Sequence, residues 1–481
     1  NGNQPVTFHD LGRLAQGWTA DAETFQQFDF GAEMVALICR ERQVGEPPRR
    51  LRDPAAWGNS RLDCFVRHGA LLILLVTYFG NFGQQPSCIT RIFELLVTYY
   101  KPKMTDNATG RHSMQNFVFS ADAHVVEPPT LFLDGLPASL KDHAIHARKE
   151  GDYLITGTKD KTIYRLRVGA KGDKELGDRE RRGVREIPGR LLDMELDGIN
   201  AEIVFPSLGL WLYCLDDAEA EAASCKVYND WNNNYFSGNL DKFVRCGVLP
   251  VQDFSNTLEE MKRLAKLGFT AAMLPAVTPP DIPKYNDEAW DPVFALGGEL
   301  GIVFVLHTGT GLETVVHERG PGAAVINYSN QMGDAINSCQ YLVAGGVLDR
   351  NPKAKVAFIE SGASWLSAIA ERMDEVYVAH HMFVRPKLSM MPSEVIKRQV
   401  FVSFQHDRAC ILHRNEIGVE NYMWASDYPH AEGTFPKSKD IVEGLFAGVD
   451  ITEKDKRLIL GGNAARLFRL NNPAVADLVT A

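Results

Sequence analysis

The chain has 481 residues, 45% apolar and 23% charged, which are ordinary proportions for folded protein and exclude wholesale disorder or collagen-like repeats. Its net charge of −10, with no basic run, argues against nucleic acid or an anionic membrane surface as partner. Eight scattered cysteines form no CxxC pair, which excludes a zinc ribbon or thioredoxin motif and points to a reducing, cytoplasmic compartment.

In chain order, residues 1–103 come first, with 11 basic and 10 acidic side chains and no strand–helix rhythm. They are expected to be upstream sequence or a loosely packed appendage without chemistry. Their most apolar run, 70–76, falls well short of the ~18 residues a membrane span needs, and the polar opening 1–5 is unlike a signal peptide. Met104 opens the patterned part. The expected division is therefore an irregular N-terminal extension, 1–103, and one barrel domain, 104–481.

From 117 onward, short runs rich in Val, Ile and Phe alternate with stretches of helical periodicity. Eight such runs predict strands at 117–122, 201–206, 248–253, 270–275, 302–307, 355–360, 400–404 and 422–427. Segments such as 258–267 and 365–376 repeat their apolar residues at helical spacing, and 463–468 predicts a last helix with Asn463 near its cap. Eight alternating units over ~350 residues predict an α/β fold, a (β/α)8 TIM barrel enlarged by insertions. One insertion, 135–196, contains a predicted hairpin from 153–156 and 162–166 and a charged Gly-rich stretch, 169–190. The other follows the fifth strand, 308–328. Both leave the C-terminal ends of strands, where barrel active sites lie, so they are candidate lids as well as ordinary solvated loops.

Residues with ligating side chains recur at those strand ends. Asp122 and His124, at i and i+2, share one face of the first strand, and Glu127-Pro128-Pro129 ends it. His307 ends the fifth strand, Glu360 the sixth and Asp427 the eighth. Singly, each has an ordinary alternative as a capping or hydrogen-bonded residue. Jointly, they set carboxylates beside a dry core, which is costly unless they are paired or metal-bound. Imidazole and carboxylate suit zinc, manganese or iron(II) better than a thiolate site does. His430, three residues after Asp427, is a candidate substrate contact. His406 and Asp407, after the seventh strand, are candidates for orienting the ligands.

This order of motifs resembles the amidohydrolase superfamily: Asp122-x-His124-x-x-Glu127-Pro, His307, Glu360-Ser-Gly and Ser426-Asp427-Tyr-Pro-His. Within it, the resemblance is to the amidohydrolase-related branch that also holds aminocarboxymuconate-semialdehyde decarboxylase. It covers about 117–470 and none of 1–103. The resemblance implies a divalent metal, one or two ions per chain, held by Asp122, His124, His307 and Asp427 with Glu360 as a further ligand. It implies Asp427 as general base and Glu360 as holder of a second ion or orienter of substrate, and it brings the stretch containing His381 toward the substrate. Where the superfamily commonly has His-x-His, this chain has Asp122-x-His124. The fourth strand has no lysine, so a carbamylated-lysine bridge is not expected. The activity implied first is hydrolysis of a small amide, ester or cyclic substrate by a metal-activated water. Non-oxidative decarboxylation of an aromatic or enoic acid and a dinuclear iron or manganese oxygenase are the alternatives. A homodimer is also implied.

Overall fold

The computed structural model describes residues 117–167, 181–311 and 316–475. The proposed extension, 1–103, and the Gly-rich stretch as far as 180 lie outside them. Eleven strands follow in chain order: β1 (Phe119–Ser120), β2 (His146–Glu150), β3 (Tyr153–Gly157), β4 (Thr162–Arg167), β5 (Ala201–Val204), β6 (Phe243–Val248), β7 (Ala271–Pro275), β8 (Val303–His307), β9 (Lys355–Ile359), β10 (Val400–Phe404) and β11 (Tyr422–Trp424). Eight of them form one sheet in the order β1-β5-β6-β7-β8-β9-β10-β11, and every pairing in it is parallel. The sheet closes on itself through the parallel bridge Ala123–Tyr428 and the bond from Ala121 N–H to Trp424 O, 3.0 Å. This is the (β/α)8 barrel expected from the sequence.

The strands read as continuous apolar runs because the barrel interior covers one face and helices cover the other. All five residues of β8, Val-Phe-Val-Leu-His, are buried. The helix Phe254–Lys266 illustrates the outer layer. Asp253 caps it by accepting from Ser255 N–H, Arg263 and Lys266 lie at its C-terminal end, and Met261 and Leu264 are buried.

Three details depart from the expectations. The third barrel strand is 243–248, not 248–253. Pro250 has no N–H for a ladder, and the N–H groups of Val251 and Gln252 donate to Glu221 Oε2, both at 2.8 Å, rather than to a strand. The hairpin is a three-stranded antiparallel sheet, β2-β3-β4, whose first strand, His-Ala-Arg-Lys-Glu, is too polar to show an apolar alternation. Asn463 begins the helix Asn463–Leu467 but does not cap it: its Nδ2 donates to Val419 O and Tyr422 O, both at 2.8 Å.

After β8 the chain turns through Thr308-Gly309-Thr310-Gly311. The Thr310 hydroxyl donates to His307 O at 2.6 Å and accepts from Ala276 N–H at 2.7 Å. Gly311 has φ +86°, and a Cβ there would lie 1.7 Å from Val277 O, so only glycine fits. The loop is shorter than expected, because a helix begins at Ala323.

Glu221 makes stability depend on pH. Burial raises its carboxyl to about 7, although the Gln252 and Val251 N–H groups oppose the shift. A carboxyl raised in the folded state leaves the folded protein holding a proton that the unfolded chain has lost. Stability is therefore expected to fall as pH rises from about 4.5 to about 7. Denaturant midpoints at pH 5 and pH 8 should show wild type losing up to about 3 kcal/mol more than Glu221→Gln over this interval.

Candidate metal centre

The group forms at the C-terminal mouth of the barrel. Asp122 and His124 leave β1 on one face, and both are fully buried. The His124 ring places Nδ1 2.9 Å from Pro206 O, and the His307 ring places Nδ1 2.9 Å from Thr308 O. An Nδ1–H bonded to a carbonyl leaves Nε2 as the free ligating nitrogen. The two Nε2 atoms point at each other across 3.1 Å.

Carboxylates surround this pair. Asp122 Oδ1 lies 3.6 Å from each Nε2, Asp427 Oδ1 lies 3.7 Å from His124 Nε2, and Glu360 Oε2 lies 3.7 Å from His307 Nε2. Two overlapping sets share His124: one with Asp122 and His307, the other with Glu360, Asp427 and His430. Within each, the ligating atoms lie within 4.8 Å of one another.

Backbone conformation aims two of these side chains. Glu360 has φ +59° and Asp427 φ +53°, the left-handed region that costs a non-glycine residue about 1 kcal/mol or more. Neighbouring bonds hold both turns. Glu360 N–H donates to Ser403 Oγ at 3.1 Å, and Asp407 Oδ2 accepts from Ala363 and Ser364 N–H at 2.9 and 2.7 Å. Asp407 thus supports the Glu360 turn from the seventh strand. Asp427 N–H donates to Asp122 O at 3.0 Å, which ties the first and eighth strand ends together.

The electrostatics fit a cation. Burial, then the neighbouring His430 and His307, push the His124 imidazole well below its ordinary pKa. Burial also acts downward on His307, but the Asp122 and Glu360 carboxylates overcome it, and the net shift is upward. Burial, then Asp427, raise Glu360 well above the usual carboxylate range, and Asp122 adds to this. Neither carboxylate oxygen of Asp122 has a hydrogen-bond partner, an expensive arrangement for a fully buried acid. Without a cation, the opposed shifts favour a proton on His307 rather than on His124. A divalent ion among two imidazole nitrogens and three carboxylates would satisfy the same lone pairs with more charge, and this nitrogen–oxygen donor set suits zinc, manganese or iron(II).

His430 joins the group. Its Nδ1 lies 2.9 Å from Asp427 Oδ1, and its ring centroid is 4.3 Å from that of His124. His381 does not. It is exposed beyond the end of the helix Trp365–Ala379, which leads away from the mouth, with Nδ1 3.3 Å from Val378 O. The approach to the substrate that the resemblance implies is not seen, because a fifteen-residue helix separates His381 from the end of the sixth strand.

Two supports were not anticipated. Glu127 accepts from the N–H groups of Ser207, Leu208 and Gly209 at 2.9–3.2 Å, clamping the loop whose Pro206 carbonyl orients His124. Arg190, on the helix Ile187–Asp197, donates to the His124 carbonyl and pairs with Glu202 at 2.8 Å. Its guanidinium also lies over the Tyr428 ring, 4.7 Å from the centroid. Glu202 was the available signal: an acid inside a buried strand requires a cationic partner.

The family model described as Amidohydrolase matches residues 181–470. His307, Glu360, Asp427 and His430 fall inside that range. Asp122 and His124 precede it and reach the group through the fold. A curated relative, the 2-amino-3-carboxymuconate-6-semialdehyde decarboxylase of Dictyostelium discoideum, is 24% identical over 251 residues, covering 50% of this chain and 66% of the relative. This is slightly less than two thirds of the relative's length. An amidohydrolase of Mycobacterium avium subsp. paratuberculosis K-10 superposes with a TM-score of 0.61 at 18% identity, covering 73% of this chain and 99% of its own. A dihydroxybenzoic acid decarboxylase of Polaromonas sp. JS666, solved with manganese and 2-nitroresorcinol, gives a TM-score of 0.53 at 18% identity, covering 75% and 99%. These two structural likenesses establish the fold. Because the family match extends over more than half of the sequence, the chain belongs to the amidohydrolase family.

Proposed function

We propose that the protein is a divalent-metal-dependent, non-oxidative decarboxylase of a small organic acid. The observation that carries this reading is the convergence of His124 and His307 Nε2 with the Asp122, Glu360 and Asp427 carboxylates around one centre. The names of the Dictyostelium relative and the Polaromonas neighbour support it, and the manganese in the latter suits an oxygen-rich set.

When bound, the ion would hold the oxygens of the substrate and stabilise the negative charge that develops as the carboxylate leaves. The protein's own residues set the protonation. Asp122, Asp427 and Glu360 would carry three negative charges, a poor receptor for an anionic acid. Burial and Asp427 push the Glu360 carboxyl upward, which favours its protonated form over a third negative charge. The Glu360 side chain is 15% exposed and faces the mouth, where it serves as the acid that protonates the carbon losing CO2. The pair Asp427 Oδ1–His430 Nδ1 relays a proton from solvent that replaces the one Glu360 gives to the carbon.

The same pair favours hydrolysis as a second reading, since a carboxylate–imidazole couple can equally take a proton from water. Manganese-loaded protein incubated with and without O2, with aromatic and enoic carboxylic acids and with amides and esters, distinguishes the readings. One CO2 released per acid consumed is the expected result. Cleavage of amides or esters without CO2 would establish the hydrolase, and a requirement for O2 would establish an oxygenase.

A further inference from the structure

A cavity of about 440 Å3 lies at the end of the barrel opposite the metal centre. Its lining includes Val303, Lys355 and Phe401, at or near the starts of β8, β9 and β10. The metal-centre residues sit at the ends of such strands, so the two sites face opposite mouths.

The charge around this cavity is one-sided. Lys353, Lys355, Lys397, Arg466 and Arg469 line it, against a single acid, Glu420. The whole chain carries −10, so the local surplus runs against the overall balance. The cations come from separate elements: the approach to β9 and its first residue, the helix Pro392–Gln399, the helix Asn463–Leu467 and the residues after it. The partners of three heads are neutral oxygens. Lys355 Nζ donates to Arg398 O, Arg469 Nη2 to Gly301 O at 2.7 Å, and Arg466 Nη2 to Asn463 Oδ1 at 3.3 Å. Among the described residues, none of the five cations is ion-paired to a carboxylate.

Lys355 registers the resulting potential: burial, then Arg398 and Arg466, lower its pKa. Like charges held together in this way are relieved by an anion. Apart from Asn421, the rest of the lining is apolar, with Phe401 buried and its ring centroid 5.9 Å from Lys355 Nζ. The volume lies within the ordinary range for small-molecule sites.

We propose that this cavity is a second ligand site, selective for a small organic anion of at least two charges on an apolar body. The cations hold its charged groups while its flat part lies on the Phe401 side. This assignment is independent of the chemistry at the metal centre.

Isothermal titration calorimetry of the full chain with benzene-1,3-disulfonate, at fixed ionic strength, tests it. This dianion is a poor chelator, so the metal centre does not compete for it. Saturable binding of one molecule per chain is expected, with benzenesulfonate weaker. Removing two cations in Lys397→Gln/Arg466→Gln should weaken binding by about tenfold or more. Both positions are exposed, and an unchanged melting temperature without ligand would confirm that the variant folds. His124→Asn should bind as wild type does. Absence of saturable binding overturns the proposal. So does equal affinity in wild type and the double variant, equal affinity for benzenesulfonate, or loss of binding in His124→Asn.

Discussion

Asp427→Asn is expected to lower turnover by about a thousandfold while leaving the barrel folded, the scale typical of losing a positioned acid–base group. Asparagine suits the test because it has nearly the same shape and tolerates the left-handed region better than most side chains. The φ of +53° at this position is thus accommodated, whereas alanine would add strain. The amide cannot exchange a proton as the carboxylate does 2.9 Å from His430 Nδ1. It also removes one negative charge beside His124 and Glu360. Steady-state rates with the metal content of each preparation measured alongside would separate proton transfer from metal loss. Full turnover by a folded, metal-loaded Asp427→Asn protein would remove Asp427 from the chemistry.

Asp122→Asn should show effects of opposite sign with and without metal. Wild type is expected to bind a divalent ion and gain melting temperature in proportion to its concentration. The variant should lose affinity by at least about a hundredfold, since a direct ligand matters no less than the residues that orient one. In chelator, the variant should be at least as stable as wild type. The Asp122 carboxylate is fully buried with neither oxygen hydrogen-bonded, and an amide in its place could donate to an Nε2 lone pair 3.6 Å away. Metal affinity in wild type should fall as pH falls, because the proton favoured on His307 by Asp122 and Glu360 competes for the same nitrogen. Elemental analysis with thermal melts at several pH values checks all three statements. A metal gain shared equally by wild type and variant would place the ion elsewhere.

The barrel was legible because parallel strands buried on both faces leave dense apolar runs that few other structures produce. The strand at 243–248 was the exception. Arg245 and Gly247 interrupt its apolar character, while the apolar residues that follow belong to a bend around Pro250. Asp122, His124, His307, Glu360 and Asp427 were legible as a group for a related reason: each alone could cap a turn, but several ionisable residues after buried runs set carboxylates beside a dry core, which is costly unless they are paired or metal-bound. The place of His381 near the substrate rested on the family resemblance alone, and the structure does not bring it into the group. The helix Trp365–Ala379 takes it out of reach.

Local pattern, set by hydrophobic burial over a few residues, thus determined the eight-unit architecture, the strand ends that carry candidate ligating side chains and the kind of donor they offer. Tertiary packing alone decided what depends on residues far apart in the chain. It turned both Nδ1 atoms onto carbonyls, set the Nε2 atoms 3.1 Å apart, and placed Arg190 and Glu127 behind the loop that aims His124. It also gathered five cations at the opposite mouth. Distances of this kind follow from closure of the sheet, which no short stretch of sequence contains.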